Sequence, residues 1–114
     1  MGEGGLLAGR LDRGEVRLVR FFAPDKERPA VILTRSSVLD YLGSATVAPI
    51  TSTIRDVPSQ VQLGPDDGMK SPCAINAHNL VTIRKDLIGR RVARLNEKRM
   101  GELCAAIAFS LGCD

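Results

Sequence analysis

Apolar and polar positions along the 114 residues fall into several short runs with the period of strands, followed by one longer run with the period of a helix. At residues 15–20 the two classes partly alternate (Glu15, Val16, Arg17, Leu18), the pattern of a half-buried strand. Phe21 and Phe22 close it before a loop at residues 23–27. Residues 30–33 are apolar and partly β-branched, which predicts a more deeply buried strand. Ser37-Val38-Leu39-Asp40 has the form of a capping box, and with Tyr41-Leu42 and a terminating Gly43 it predicts a short helix. Strand character returns at residues 45–50, 59–63 and 73–77, and Gly64-Pro65-Asp66-Asp67-Gly68 is a turn by composition. In the last segment Met100, Leu103, Cys104, Ile107 and Leu111 recur at three- and four-residue steps. Asn96 can cap that helix and Gly112 can end it. Short strands followed by a packed terminal helix predict a mainly β, α+β fold, either a small barrel or a strongly bent sheet with helices at its edge.

Length and composition narrow the picture. One domain of this size buries roughly 65% of the surface of its unfolded chain. Residues 13–114 are assigned to it, and the Gly-rich residues 1–12 to an extension expected to stay disordered, having little apolar surface to offset the entropy of ordering. The glycines of that opening lack the spacing of a phosphate-binding loop. With 4% aromatic residues and no Trp, the core is expected to be built from Val, Ile, Leu and Ala, and a broad aromatic platform for stacking bases is excluded. The net charge is +3, with basic residues concentrated from Arg84 to Arg99. That stretch could dock a polyanion, but it reads first as a solvated face. Three cysteines without a CxxC pair suggest reduced thiols in a cytoplasmic protein, with Cys104 in the core. No apolar h-region opens the sequence, and no membrane partner is expected. One histidine, His78, and scattered acids give no metal-ligand spacing, so neither a metal nor another cofactor is expected.

Two stretches carry the candidate chemistry: Arg28-Pro29-Ala30-Val31-Ile32-Leu33-Thr34, and Val47-Ala48-Pro49-Ile50-Thr51-Ser52-Thr53-Ile54-Arg55. Each is an apolar strand with a phosphate-binding group at one end, a guanidinium in the first and a hydroxyl triplet in the second. RNA carries its own nucleophile, the 2′-hydroxyl beside the scissile phosphorus. An enzyme that cuts it therefore needs only to orient that group, neutralise the phosphoryl oxygens and help protons move. Arginine grips two oxygens with a permanent charge, and Thr or Ser hydroxyls donate to the same oxygens.

With Gly14-Glu15-Val16 upstream and the run from Leu87-Ile88-Gly89 to Arg94-Leu95 downstream, these stretches resemble the MazF/PemK family of toxin endoribonucleases. The resemblance runs from Arg13 to Gly112. It implies an SH3-like barrel of the MazF/PemK/CcdB type and metal-independent, ribosome-independent cleavage of single-stranded RNA to 2′,3′-cyclic phosphate and 5′-hydroxyl ends. It also implies a homodimer, and a cognate antitoxin whose acidic C-terminal segment occupies the RNA groove. The family's catalytic Arg and Thr fall on Arg28 and Thr51. His78 stands near a place where many relatives carry an acid, and is either a general base or an ordinary hydrogen-bonding residue. Ser52, Thr53, Arg55, Asn76, Asn79 and Arg84 form the expected RNA-binding set. The loop before Arg28 is shorter than the usual family loop, so no catalytic role passes to Glu27. The alternatives are a CcdB-like protein-binding toxin that poisons gyrase, and a relative that binds RNA or a regulator without cutting.

Overall fold

The computed structural model of the chain describes residues 10–21 and 27–114. Most of the expected loop before Arg28, and residues 1–9 of the expected extension, lie outside that set. Among the described residues, seven strands and two α-helices follow one another as β1 (Glu15–Arg20), β2 (Glu27–Ile32), α1 (Ser36–Leu39), β3 (Ser44–Thr51), β4 (Gln60–Leu63), β5 (Cys73–Asn76), β6 (Val81–Arg84), β7 (Ile88–Arg94) and α2 (Glu97–Leu111). Short 3-10 turns occupy Pro65–Asp67 and Lys85–Leu87.

All recorded strand pairs are antiparallel, in the order β4-β5-β3-β2-β1-β7, with β6 also pairing β3. Strand β3 is the hub. One of its edges carries β2; the other is shared, with β6 along residues 44–47 and β5 at Ile50 and Thr51. The sheet curls strongly but does not close into a barrel. Two register shifts where β1 meets β7 contribute to the bend, as bulges do. Gly89 permits the close approach there, since a Cβ at that position would lie 3.2 Å from the Leu18 carbonyl oxygen.

Because side chains alternate along each strand, the sheet is buried on both sides. Val31, Ala48, Ile50, Val61, Ile75 and α2 residue Leu103 pack on one face. Ala30, Ile32, Ala45, Val47, Val19 and Ile88 pack on the other, closed by Leu11 and Leu39. Leu11 is buried and Asp12 bonds to Ser36 and Arg94, so the fold takes hold just before the expected boundary at Arg13.

Four local expectations need correction. The polar residues of β1 do not face solvent: Glu15 and Arg17 are both 4% exposed, and they pair with one another at 2.9 Å. Arg17 also donates to the carbonyls of Gly89 and Arg10, both at 3.0 Å, as a buried guanidinium must. The run from Arg84 to Arg99 is solvated as expected, with Arg84, Arg90, Arg91, Arg94 and Lys98 exposed, but it is not one face. It contains the end of β6, the edge strand β7 and the start of α2, and Arg91 and Arg94 turn back onto Glu15 and Asp12. Helix α1 starts at Ser36, with Arg35 at the N-cap and no side-chain cap, and ends before Tyr41, while the Ser36 hydroxyl bonds Asp12 and accepts the Arg13 N–H. Finally, Cys104 is exposed and Cys73 is the buried thiol. The inward stripe of α2 is centred on Leu103 and Ala106, and one step of about 100° from Leu103 carries Cys104 outward.

Candidate functional site

The residues singled out by motif lie at one end of the sheet. Strand β2 meets β3 with Ala30 opposite Pro49, Val31 opposite Ala48 and Ile32 opposite Val47. Carried two residues further, this register sets Arg28 opposite Thr51. Both belong to the face that bears Ala30, Ile32 and Val47, so the guanidinium and the hydroxyl emerge side by side beyond the end of that core. Arg28 is exposed and meets no hydrogen-bond or ion-pair partner among the described residues. Its charge is available to a ligand. Pro29 suits this place, because it fixes the backbone where the pairing with β3 gives out.

On its other side Thr51 pairs with Ala74 of β5. The Thr51 Oγ1 accepts the N–H of Thr53 at 3.1 Å. With that lone pair engaged by the backbone, the hydroxyl proton is left to point at a ligand oxygen. Ser52, Thr53 and Arg55 continue from Thr51 into an exposed loop. Asp56 takes a left-handed conformation there, φ 52°, which Asp tolerates better than most residues.

This loop is held by a residue that the motifs did not reveal. The carboxamide of Gln60 accepts the N–H of Arg55 at 2.8 Å, donates to the Thr53 carbonyl at 3.2 Å and donates to Asn76 Oδ1 at 2.7 Å. Gln60 and Asn76 are direct cross-strand partners. Both lie on the face of Thr51 and Ala74, so Asn76 joins the same surface as Arg28. No motif marked Gln60, whose role depends on the loop five to seven residues before it and on Asn76 sixteen residues after it.

The other expected residues lie further off. His78 follows β5 in its turn to β6, where Nδ1 meets Ser59 Oγ at 3.1 Å. It is four residues past Ala74, the partner of Thr51, with β5 ending at Asn76 and the chain turning at Ala77 and His78. Asn79 shares that exposed turn and donates its N–H to the Asn76 carbonyl at 3.4 Å. Arg84 pairs with Ser44 at the opposite end of β3 and holds Asp86 through two hydrogen bonds, 3.0 and 2.7 Å. The fold thus gathers Arg28, Thr51, Ser52, Thr53, Arg55 and Asn76 at one end, with His78 and Asn79 at a margin and Arg84 remote.

An antiparallel, curled seven-stranded sheet followed by a terminal helix is the fold of the MazF toxins. The family described as PemK-like, MazF-like toxin of type II toxin-antitoxin system matches residues 12–111. Endoribonuclease MazF3 of Mycobacterium tuberculosis is 34% identical over 90 residues, covering 79% of this chain and 87% of the relative. The solved structure of the Mycobacterium tuberculosis toxin MazF-mt6 superposes with a TM-score of 0.81 at 31% identity, over 88% of this chain and 98% of that one. A mycobacterial endoribonuclease solved with its cognate antitoxin shares the fold, with a TM-score of 0.82 at 24% identity over 91% and 97% of the two chains. This chain belongs to the MazF/PemK family of type II toxin-antitoxin toxins.

Proposed function

We propose that this chain is the endoribonuclease toxin of a toxin-antitoxin module, cutting single-stranded RNA without a metal ion. The reading of the chemistry rests on the β2–β3 register, whose continuation past Ala30 and Pro49 brings Arg28, without a hydrogen-bond or ion-pair partner among the described residues, opposite Thr51 on an open face. The RNA 2′-oxygen attacks the adjacent phosphorus, the P–O2′ bond forms, and the P–O5′ bond breaks. One proton leaves the 2′-hydroxyl and one is delivered to the departing 5′-oxygen. Arg28 neutralises charge on the non-bridging oxygens, and Thr51 donates a hydrogen bond to one of them. Ser52, Thr53 and Arg55 bind the flanking backbone.

The enzyme acts as a cytoplasmic homodimer, and an acidic C-terminal antitoxin segment competes for the groove by imitating phosphate. Family membership supports this reading, as does the basic, exposed setting of Arg28 and Arg55.

Incubation of the purified protein with a long RNA in EDTA tests the activity. Cleavage with 2′,3′-cyclic phosphate ends is expected from wild type, and a loss of about 10² to 10³ in rate from Arg28→Ala. Full activity in a folded Arg28→Ala protein would sink the assignment. No cleavage by wild type would return the reading to a protein-binding toxin.

A further inference from the structure

Gln60 does more than hold a loop, because its own orientation is fixed by backbone groups that cannot be exchanged. Its oxygen must face the Arg55 N–H, a donor, and its nitrogen must face the Thr53 carbonyl, an acceptor. The same nitrogen lies 2.7 Å from the Asn76 side chain, which must therefore present its oxygen. One amide is set by the backbone and the next is set by it. The Asn76 oxygen is thereby occupied, and its Nδ2, with two N–H donors, is turned away from Gln60. Asn76 stands two residues from Ala74, the cross-strand partner of Thr51, and on the same face. That is about 6.8 Å along the strand from the proposed phosphate site, within reach of a base beside the scissile bond.

We infer that Gln60 is a positioning residue that fixes the polarity of Asn76, making it a donor-only reader of one RNA base flanking the cut. A donor aimed at the 4- or 6-position of the base selects a keto oxygen there, O4 of uracil or O6 of guanine. It rejects the amino groups of cytosine and adenine, which would bring donor against donor. The inference rests on the endoribonuclease reading for its RNA half, whereas the amide orientation stands apart from any activity.

Gln60→Glu is the decisive variant. The carboxylate still accepts the Arg55 N–H but cannot donate, so Asn76 turns its nitrogen toward it and shows its oxygen to the groove. Two measurements follow. By NMR, the Asn76 side-chain amide protons exchange freely in wild type and become protected and shifted in Gln60→Glu. With an RNA pool randomised in sequence, end-mapping of the products shows a preference for U or G at one flanking position in wild type. That preference changes by about tenfold toward C or A in Gln60→Glu, and likewise in Asn76→Asp, which has no donor. An unchanged Asn76 signal in folded Gln60→Glu overturns the orienting role. A reoriented amide with an unchanged base preference overturns the reading role, as does Asn76→Asp with wild-type preference. Absence of cleavage by wild type defeats the endoribonuclease reading and the base-reading half with it, while the amide signal still decides the orienting half.

Discussion

At the scale of single residues, the site depends on groups whose polar atoms are committed in known directions. Thr51→Ser keeps both the acceptor for the Thr53 N–H and the outward hydroxyl, so it should retain most activity. Thr51→Val removes both, and the cleavage rate should fall about 10²-fold or more. A single-turnover assay on one short RNA compares the pair. His78 bonds Ser59 in the β5–β6 turn, beyond the end of β5 at Asn76. His78→Ala should therefore leave the pH dependence of cleavage unchanged, as a pH–rate profile of both proteins will show. The buried Glu15–Arg17 pair is a different case, because removing Arg17 takes away the closest charge on buried Glu15 and leaves it the more distant Arg91 and Arg94, at 3.6 and 3.9 Å. Arg17→Met should cost about 3–5 kcal/mol, read from urea unfolding. Arg28 and Thr51 stood out in the sequence because each sits at the polar end of an apolar strand and falls on a residue of the family motif. Gln60 left no trace in the pattern, because its partners are 53, 55 and 76, brought to it only by folding.

At the scale of elements, the placement of α2 rests on a polar clamp as well as on Leu103 and Ala106. Burial alone would raise the Asp67 carboxyl, but the Arg99 guanidinium at 2.9 Å and the Gly64 N–H at 3.0 Å outweigh it and hold it below the usual carboxylate range. Asp12 is likewise held down, by the Ser36 hydroxyl and then by Arg94. A carboxylate lowered in the folded state stabilises the fold fully above its unfolded value of about 3.9 and loses that contribution as pH falls through the folded value. Stability should therefore decline below about pH 4, and Asp67→Asn should flatten part of that decline in a series of urea titrations. Burial, and then the Asp67 charge, push the Cys73 thiol up. A thiol reagent should modify Cys104 and Cys113 in the native protein and reach Cys73 only on unfolding, by mass spectrometry. Helix α2 was legible because its apolar positions keep one period, and strands β1, β3 and β5 because they are short apolar-rich runs bounded by turn residues. β7 was not, since only Ile88 and Ala93 among its apolar residues turn inward and its arginines read as a charge run.

At the scale of the whole molecule, the two ends of the sheet approach one another without pairing. Gly68, at φ 87° in the turn after β4, lies against Ala93 of β7, where a Cβ would come within 2.9 Å of the Ala93 Cβ. Gly68→Ala should destabilise the protein by about 1–3 kcal/mol through backbone strain and crowding together, measured by thermal unfolding. This curl could not be foreseen from the pattern of strands, because it arises from the β1–β7 register shifts and from contacts between segments far apart in sequence. The hub strand β3 holds three neighbours at once, and the residue proposed to touch the scissile phosphate is its last. A strand so tied is released only with the rest of the fold, so its amides should exchange with solvent at the rate of global opening rather than by local fraying. The toxin then has no half-active form: in a denaturant series, the loss of cleavage and the loss of circular dichroism should trace a single curve. A cell disarming it by unfolding would have to dismantle all of it.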